Sequence, residues 1–458
     1  MKVLIVVALP LLAYSWPDAH PIDPSVAKVI EEVSADRIAA TMRKLESFGT
    51  RNPHFATDDP SRGTGAARAW IAEQFRSYSP RLEARFDRHA VKKSGRFVRD
   101  LEIVNIVAVL PGKSQKARNV ILSGHYDSMV MVRKNDAKPD SPPSEAMDWE
   151  ATANASAAPG ASDDASGTAV VMELARVMSR YEWEKTLVFI AFDAEEEGLI
   201  GSASYAEEAK ESGMIVDGVL NNDIVGNDTG GDGKRENRRV RVFSDDPPDG
   251  ASRALARYVK ETGERYAPDM TVDLVFRADR FARGGDHTSM NNAGFPAVRF
   301  TTGAENYKNQ HSLTDTFDNA SPSYAASVAR VNGAAAASLA LAPAAPEVTR
   351  EIATGANKGR RAPMRGRGKS GYDAVLKWTD QKDSGDIAGY IVAMRATTAA
   401  LWQKEWFAGD VHEYTLADTS IDDVVFGVRA VGKDGNESPV SAYVLPPRVS
   451  FEGAAPAR

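Results

Sequence analysis

The segment that most constrains the fold is Leu187 to Phe192, an unbroken apolar run too short for a typical helix and without the polar alternation of a half-exposed strand. A strand of this composition has to be covered on both faces, which is the condition of a central strand in a parallel sheet. Around it stand strand-like runs at Ile103 to Leu110 and Val120 to Ser123 and a helical pattern from Gly167 to Arg180. Pro24 to Leu45 and Ala66 to Phe75 carry apolar residues at helical spacing, predicting two amphipathic helices ahead of the sheet. The alternation predicts an α/β fold, a mostly parallel sheet flanked by helices. Ligands of such sheets sit beyond the carboxyl ends of the strands, so residues that follow a strand are the first to inspect.

With 458 residues the chain exceeds one ordinary domain. The helical tract Tyr324 to Leu341 ends in Ala-Pro-Ala-Ala-Pro, which cannot continue a helix and sets a boundary near Pro343. Residues 20–342 form the large domain, with a polar inserted loop at 128–160 placed for a role at the site mouth. Residues 343–365 read as a linker and first strand, and 366–450 as a small all-β sandwich. Its strands are expected at Val348 to Ile352, Ala374 to Trp378, Tyr390 to Arg395, Tyr414 to Leu416 and Val424 to Val431, and Lys358 to Lys369 reads as a solvated basic loop. Gly389-Tyr390-Ile391-Val392, Phe426 to Val431 and Asp434 to Ser438 resemble fibronectin type III domains, although Val424 lies near the place of the usual strand F tyrosine.

Residues 1–19 read as a signal peptide and short leader: Lys2 precedes an apolar run, Val3 to Ala13, that is too short to span a bilayer. The expectation is a periplasmic or extracellular protein without a membrane span. The net charge of −7 offers no footprint for nucleic acid. The absence of cysteine excludes disulfides, thiol catalysis and thiolate metal sites, so any metal must be held by His, Asp and Glu.

Five segments place such residues at strand ends or helix starts. His125 follows the strand Val120 to Ser123, and Asp127 is spaced to accept from its imidazole. Asp163 and Asp164 precede the helix that opens at Ser166-Gly167; an N-cap explains Asp164, and a dication relieves the repulsion between the two. Glu195, Glu196 and Glu197 close the apolar strand, Asp223 follows the run Ile215 to Leu220, and His311 sits in a polar loop with Asp315 as its possible orienter. Oxygen-rich ligation with two imidazoles suits zinc or a first-row neighbour.

Taken in order, SGHYDS, GASDDASG, AEEEGLIGS, NDIVG, GGDHTSMNNAGFPAV and HSLTDT resemble the di-zinc aminopeptidases of metallopeptidase family twenty-eight, over approximately residues 25–342 with LESFGTRN and VNIVAVLPG included. The resemblance implies the zinc exopeptidase fold and two Zn2+ per chain. Asp163 would bridge the ions, His125 and Asp223 would complete one position, and Glu196 and His311 the other. It also implies that Glu195 is the general base, that Glu197 is a bystander, and that the Asp163–Asp164 peptide is cis. Asp127, Asp164, Asp286 and Asp315 would support the ligands, and His287 is structural because five other residues complete the metal set. Some relatives carry a carbonyl-polarising tyrosine a few residues before the Asp-His pair, where this chain reads Phe281-Ala282-Arg283-Gly284-Gly285, so the oxyanion stabiliser stays open.

The implied activity is hydrolysis of N-terminal peptide bonds of peptides or proteins by a metal-activated water. Glutaminyl cyclase and carboxypeptidase chemistry on the same fold are the alternatives, and a non-catalytic binding module is disfavoured because every ligand position is filled. The preferred N-terminal residue and the oligomeric state are not legible in the sequence.

Overall fold

The structure, a computed structural model, describes residues 22–444 apart from 56–58, 139–140, 246, 248, 282 and 355–357. The expected leader, Ala282 and the end of the second domain lie outside the described residues. The large domain runs α1 (Pro24–Glu32), α2 (Ala35–Glu46), α3 (Gly63–Tyr78), β1 (Glu83–Val91), β2 (Leu101–Leu110), β3 (Gln115–His125), α4 (Pro143–Ala146), α5 (Trp149–Ala153), α6 (Ala165–Met178), β4 (Lys185–Phe192) and α7 (Ile200–Glu211). It continues through β5 (Ile215–Asn222), β6 (Arg239–Ser244), α8 (Ala251–Tyr266), β7 (Thr271–Val275), α9 (Asp286–Ala293), β8 (Ala297–Thr302) and α10 (Pro322–Leu341). The first amphipathic stretch is two helices instead of one. The break falls at Val33-Ser34, where the Ser34 hydroxyl accepts from the backbone N–H of Arg37 and starts α2 as its N-cap.

The eight strands form one sheet in the order β1-β2-β4-β3-β5-β8-β6-β7. Its centre, β4-β3-β5-β8, is parallel, while β1 and β2 on one side and the β6–β8 pair on the other are antiparallel. The apolar run in β4 is covered on both faces, as its composition requires. Leu187, Phe189 and Ala191 pack under α1, α2, α3, α6, α8 and α10. Val188, Ile190 and Phe192 face α7 and α9 on the opposite side. Strand β1 escaped prediction because it is an edge strand whose residues are mostly exposed or half-buried, leaving no apolar run to read.

Two further findings depart from the sequence reading. The 128–160 segment is not irregular throughout, since it holds α4 and α5, and Met131 N–H donates to the carbonyl of His311 at 3.0 Å. The basic stretch after Lys358 contains strand β10 (Arg361–Pro363), paired with β9 (Thr349–Glu351), and then β11 (Arg365–Gly366). The remaining strands are β12 (Ala374–Lys377), β13 (Ile387–Ala396), β14 (Lys404–Gly409), β15 (Glu413–Leu416), β16 (Val424–Gly432) and β17 (Ser441–Ala442). They form a three-stranded antiparallel sheet, β11-β12-β15, and a four-stranded one, β14-β13-β16-β17. Leu376 and Trp378 from one side and Tyr390, Val392, Phe426 and Val428 from the other share a core.

Buried ion pairs join this all-β part to the large domain. Arg429 on β16 meets Glu261 of α8 at 2.7 Å and its own neighbours Glu405 and Glu437. Arg395 pairs with Asp249, and Arg118 of β3 donates to the carbonyl of Lys382 at 3.0 Å. No helix among the described residues is long and apolar enough to cross a membrane.

Candidate metal centre

The carboxyl ends of the parallel strands bring the sequence-predicted residues together. His125 is the last residue of β3, Glu195 and Glu196 lie in the turn after β4, Asp223 follows β5, and His311 comes from the loop after β8. Asp163 arrives from the turn before α6. Its two carboxylate oxygens face different histidines: Oδ1 is 3.3 Å from His125 Nε2 and Oδ2 is 3.2 Å from His311 Nε2. His311 Nε2 is also 2.9 Å from Glu196 Oε2, and His125 Nε2 is 4.0 Å from Asp223 Oδ1. Ligating atoms of Asp163, Glu196 and His311 lie within 4.8 Å of one another, as do those of His125, Glu195 and Asp223.

The supporting residues act mostly through the backbone. Asp127 accepts from His125 Nδ1 at 3.2 Å and from the N–H groups of both Glu195 and Glu196 at 3.2 Å, so one carboxylate fixes an imidazole and the turn that presents the glutamates. Asp164 caps α6 by accepting from Gly167 N–H at 2.8 Å and also receives Ile224 N–H, which fulfils its N-cap reading and ties it to the residue after Asp223. Asp315 does not orient the His311 ring as expected; its carboxylate accepts from the N–H groups of Ser162 at 3.0 Å and Asp163 at 2.9 Å. Asp286 is buried at the start of α9, and burial pushes its carboxyl up to about 7. His287 Nε2 bonds the Ala278 carbonyl at 2.7 Å, a structural contact. Glu197, expected to be a bystander, is buried and accepts from Asn52 Nδ2 at 3.3 Å.

The Asp163–Asp164 peptide is cis. Ala194, Leu199, Ile224 and His311 all have left-handed backbone, with φ of 57°, 65°, 59° and 53°. For a β-branched residue such as Ile224 this is a costly conformation, and its place directly after Asp223 marks a backbone shaped for the site.

His125 Nε2, Asp163 Oδ2 and Glu196 Oε1 are buried without a hydrogen-bond partner among the described residues. Buried polar atoms are rarely left so, and three of them on residues that share one site fit a bound cation. The electrostatics agree. Burial opposes charge on His125, yet the carboxylates of Asp127 and Asp163 outweigh it and hold the imidazole well above its ordinary range. Burial likewise opposes the charge of Asp163, but His125 and His311 outweigh it and keep the carboxyl well below its ordinary value. A dication seated here satisfies the same carboxylates with neutral imidazoles as ligands. Burial, reinforced by Asp223, Glu196 and Asp286, raises the Glu195 carboxyl well above its ordinary range.

Two residues at the site carried no role in the sequence reading. Arg51 is fully buried and donates to the carbonyls of Tyr126, Pro159 and Gly160 at 2.6, 2.8 and 2.8 Å, clamping the strand end to the turn that carries Asp163. Its only sequence signal was membership of LESFGTRN. Arg299 on β8 had none, and its Nη2 lies 2.9 Å from Asp223 Oδ1.

A parallel-centred sheet with two histidines and several carboxylates gathered at its strand ends is an α/β protein with a candidate centre for a divalent metal. The chain belongs to Peptidase family M28, whose sequence profile matches residues 105–336. A probable zinc metalloprotease of Pyricularia oryzae is 37% identical over 456 residues, covering 92% of this chain and 84% of its own. A second, from Pyrenophora tritici-repentis, is 34% identical and covers 94% of this chain and 91% of its own. Among solved structures, the LapA aminopeptidase of Legionella pneumophila shares the fold, with a TM-score of 0.51 at 22% identity over 71% of this chain and 78% of that one.

Proposed function

We propose that this zinc metallopeptidase is an exported aminopeptidase that holds two zinc ions and removes N-terminal residues from peptides or proteins. The observation that carries the reading is Asp163, whose two oxygens address one histidine each, the arrangement of a carboxylate shared between two metal positions. His125 and Asp223 complete one position, Glu196 and His311 the other. Zinc held there would supply a Lewis acid that lowers the pKa of a water and polarises the scissile carbonyl. Glu195, partly exposed and adjacent to the His125 and Asp223 donor atoms, is placed to take the proton from that water and deliver it to the leaving amine. Its raised affinity for the proton suits a group that must accept one. Export rests on the apolar run Val3 to Ala13. The division of the C-terminal part into three- and four-stranded antiparallel sheets around a shared core supports its fibronectin type III-like reading.

The test is zinc content and activity together. Purified full chain should hold up to two zinc ions and cleave aminoacyl fluorogenic substrates, with activity lost to chelator and restored by zinc. N-acetylated substrates should not be cleaved. Metal-independent cleavage, or equal turnover of blocked and free N-termini, overturns the reading.

A further inference from the structure

The Asp163, Glu196 and His311 group and the His125 and Asp223 pair differ in what stands behind them. Arg299 is fully buried, and its Nη2 is 2.9 Å from Asp223 Oδ1, the same oxygen that lies 4.0 Å from His125 Nε2. Nη1 of that guanidinium donates to both oxygens of Asp279 at 2.9 Å. Asp279 pairs in turn with Arg280 at 3.0 Å, Arg280 with Glu305 at 2.6 Å, and Glu305 with Arg241 at 2.5 Å. The outcome is an alternating line of charge that begins on the protein surface side of β6 and ends on Asp223. Among the described residues the ion pairs of the Glu196 and Asp163 carboxylates are with histidines, and no arginine or lysine forms an ion pair with them.

A guanidinium stays charged at every accessible pH, so the charge of Asp223 is permanently shared. A dication beside His125 must draw on a carboxylate oxygen that already faces a cation, and it is repelled by that cation across a low-dielectric interior. Asp279 fixes the guanidinium from the far side, so the cation stays beside the Asp223 oxygen. Asp223 is therefore a weakened donor.

On the two-zinc reading above, we infer that Arg299 is a positioning residue that makes the two metal positions unequal. The Asp163, Glu196 and His311 position fills first. The His125 and Asp223 position fills second and more weakly, with its carboxylate shared between zinc and Arg299.

The experiment is calorimetric titration of zinc into the chelator-stripped full chain. The wild type should show two steps separated by at least about tenfold in affinity. Arg299→Met should tighten the weaker step by about tenfold or more and leave the tighter one nearly unchanged, whereas Arg299→Lys, which keeps a cation, should preserve the gap. A folded Arg299→Met whose weaker step is unchanged or weaker still overturns the inference. If Arg299→Met fails to fold, the order of filling decides: Asp223→Asn should delete the weaker step and spare the tighter, and Glu196→Gln should delete the tighter. Loss of the tighter step in Asp223→Asn overturns the inference while leaving two zinc ions in the wild type. A wild type that binds a single zinc overturns the two-zinc reading itself.

Discussion

The backbone N–H of Asp163 donates to Asp315 Oδ2 at 2.9 Å, although the two residues are 152 positions apart. Asp315 also receives Ser162 N–H at 3.0 Å, and its carbonyl accepts from Ala161 N–H. The loop that carries His311 is thus tied to the turn that carries the carboxylate it must meet. Cutting the tie should loosen both partners at once. Asp315→Ala is expected to weaken zinc binding by about 10- to 100-fold, the usual effect of removing a group that orients a ligand. Zinc retained after dialysis against a graded chelator measures it, and wild-type retention would show the tie to be dispensable.

Glu195 and Glu196 are adjacent, and the structure gives them different neighbours, His125 and Asp223 for the first and His311 and Asp163 for the second. Glu195→Gln should keep zinc and KM near wild type while kcat falls by about two to four orders of magnitude, the range of a lost general base. Glu196→Gln should instead weaken one zinc position, because an amide oxygen is a poorer donor to a dication than a carboxylate. Excess zinc should partly rescue only the second variant. If Glu195→Gln loses metal and Glu196→Gln is merely slow, the two roles are exchanged.

The central sheet was legible because β4 and its neighbours are apolar on both faces, a pattern with few other solutions. The candidate metal residues were legible through the ordered run of segments that resembles the peptidase family, since each strand-end acid or histidine alone has an ordinary explanation such as an N-cap or a solvated face. Strands β6, β7 and β8 were not read as strands, since only five or six residues carry each pattern and Arg239, Arg241 and Arg299 interrupt it. Arg299 shows the limit most clearly. An arginine in a strand signals a solvated face by default, and only the fold reveals Asp223 and Asp279 on either side of it. Asp315 was recognised as a supporting group but given the wrong partner, because spacing suggested His311 whereas its contact lies across the domain.

Arg429 is buried between Glu261 of the large domain and Glu405 and Glu437 of the all-β part. Removing the arginine takes the shared counter-charge from three carboxylates, of which Glu261 keeps Arg265, and breaking a buried pair costs up to about 3–5 kcal/mol. Arg429→Met should therefore lower thermal stability and loosen the contact between β16 and α8, while zinc stoichiometry stays at the wild-type value. Differential scanning calorimetry with metal analysis tests this. An unchanged transition would mean that the two parts are held together by other contacts.

Asp279 gives the molecule a defined acid response. Burial alone would raise its carboxyl, but Arg299, His287 and Arg280 outweigh it and hold the pKa at about 2, against an ordinary value of 3.8. The folded value lies below the unfolded one, so ionised Asp279 stabilises the native state above pH 3.8 and that contribution is lost as pH falls toward 2. From the size of the shift the contribution is roughly 2 kcal/mol. Asp279→Asn should be less stable than wild type at pH 6, because the charge interaction with Arg299 that lowers the Asp279 pKa is lost. Protonating Asp279 in the wild type removes the same interaction, so the difference depends on pH. Urea unfolding of both proteins between pH 6 and pH 2 should show the stability gap constant above about pH 5 and narrowing by roughly 2 kcal/mol below pH 4. A gap that stays constant across the whole range would mean that the Asp279 carboxyl titrates alike in the folded and unfolded chain and that Arg299 takes its balance from Asp223 alone.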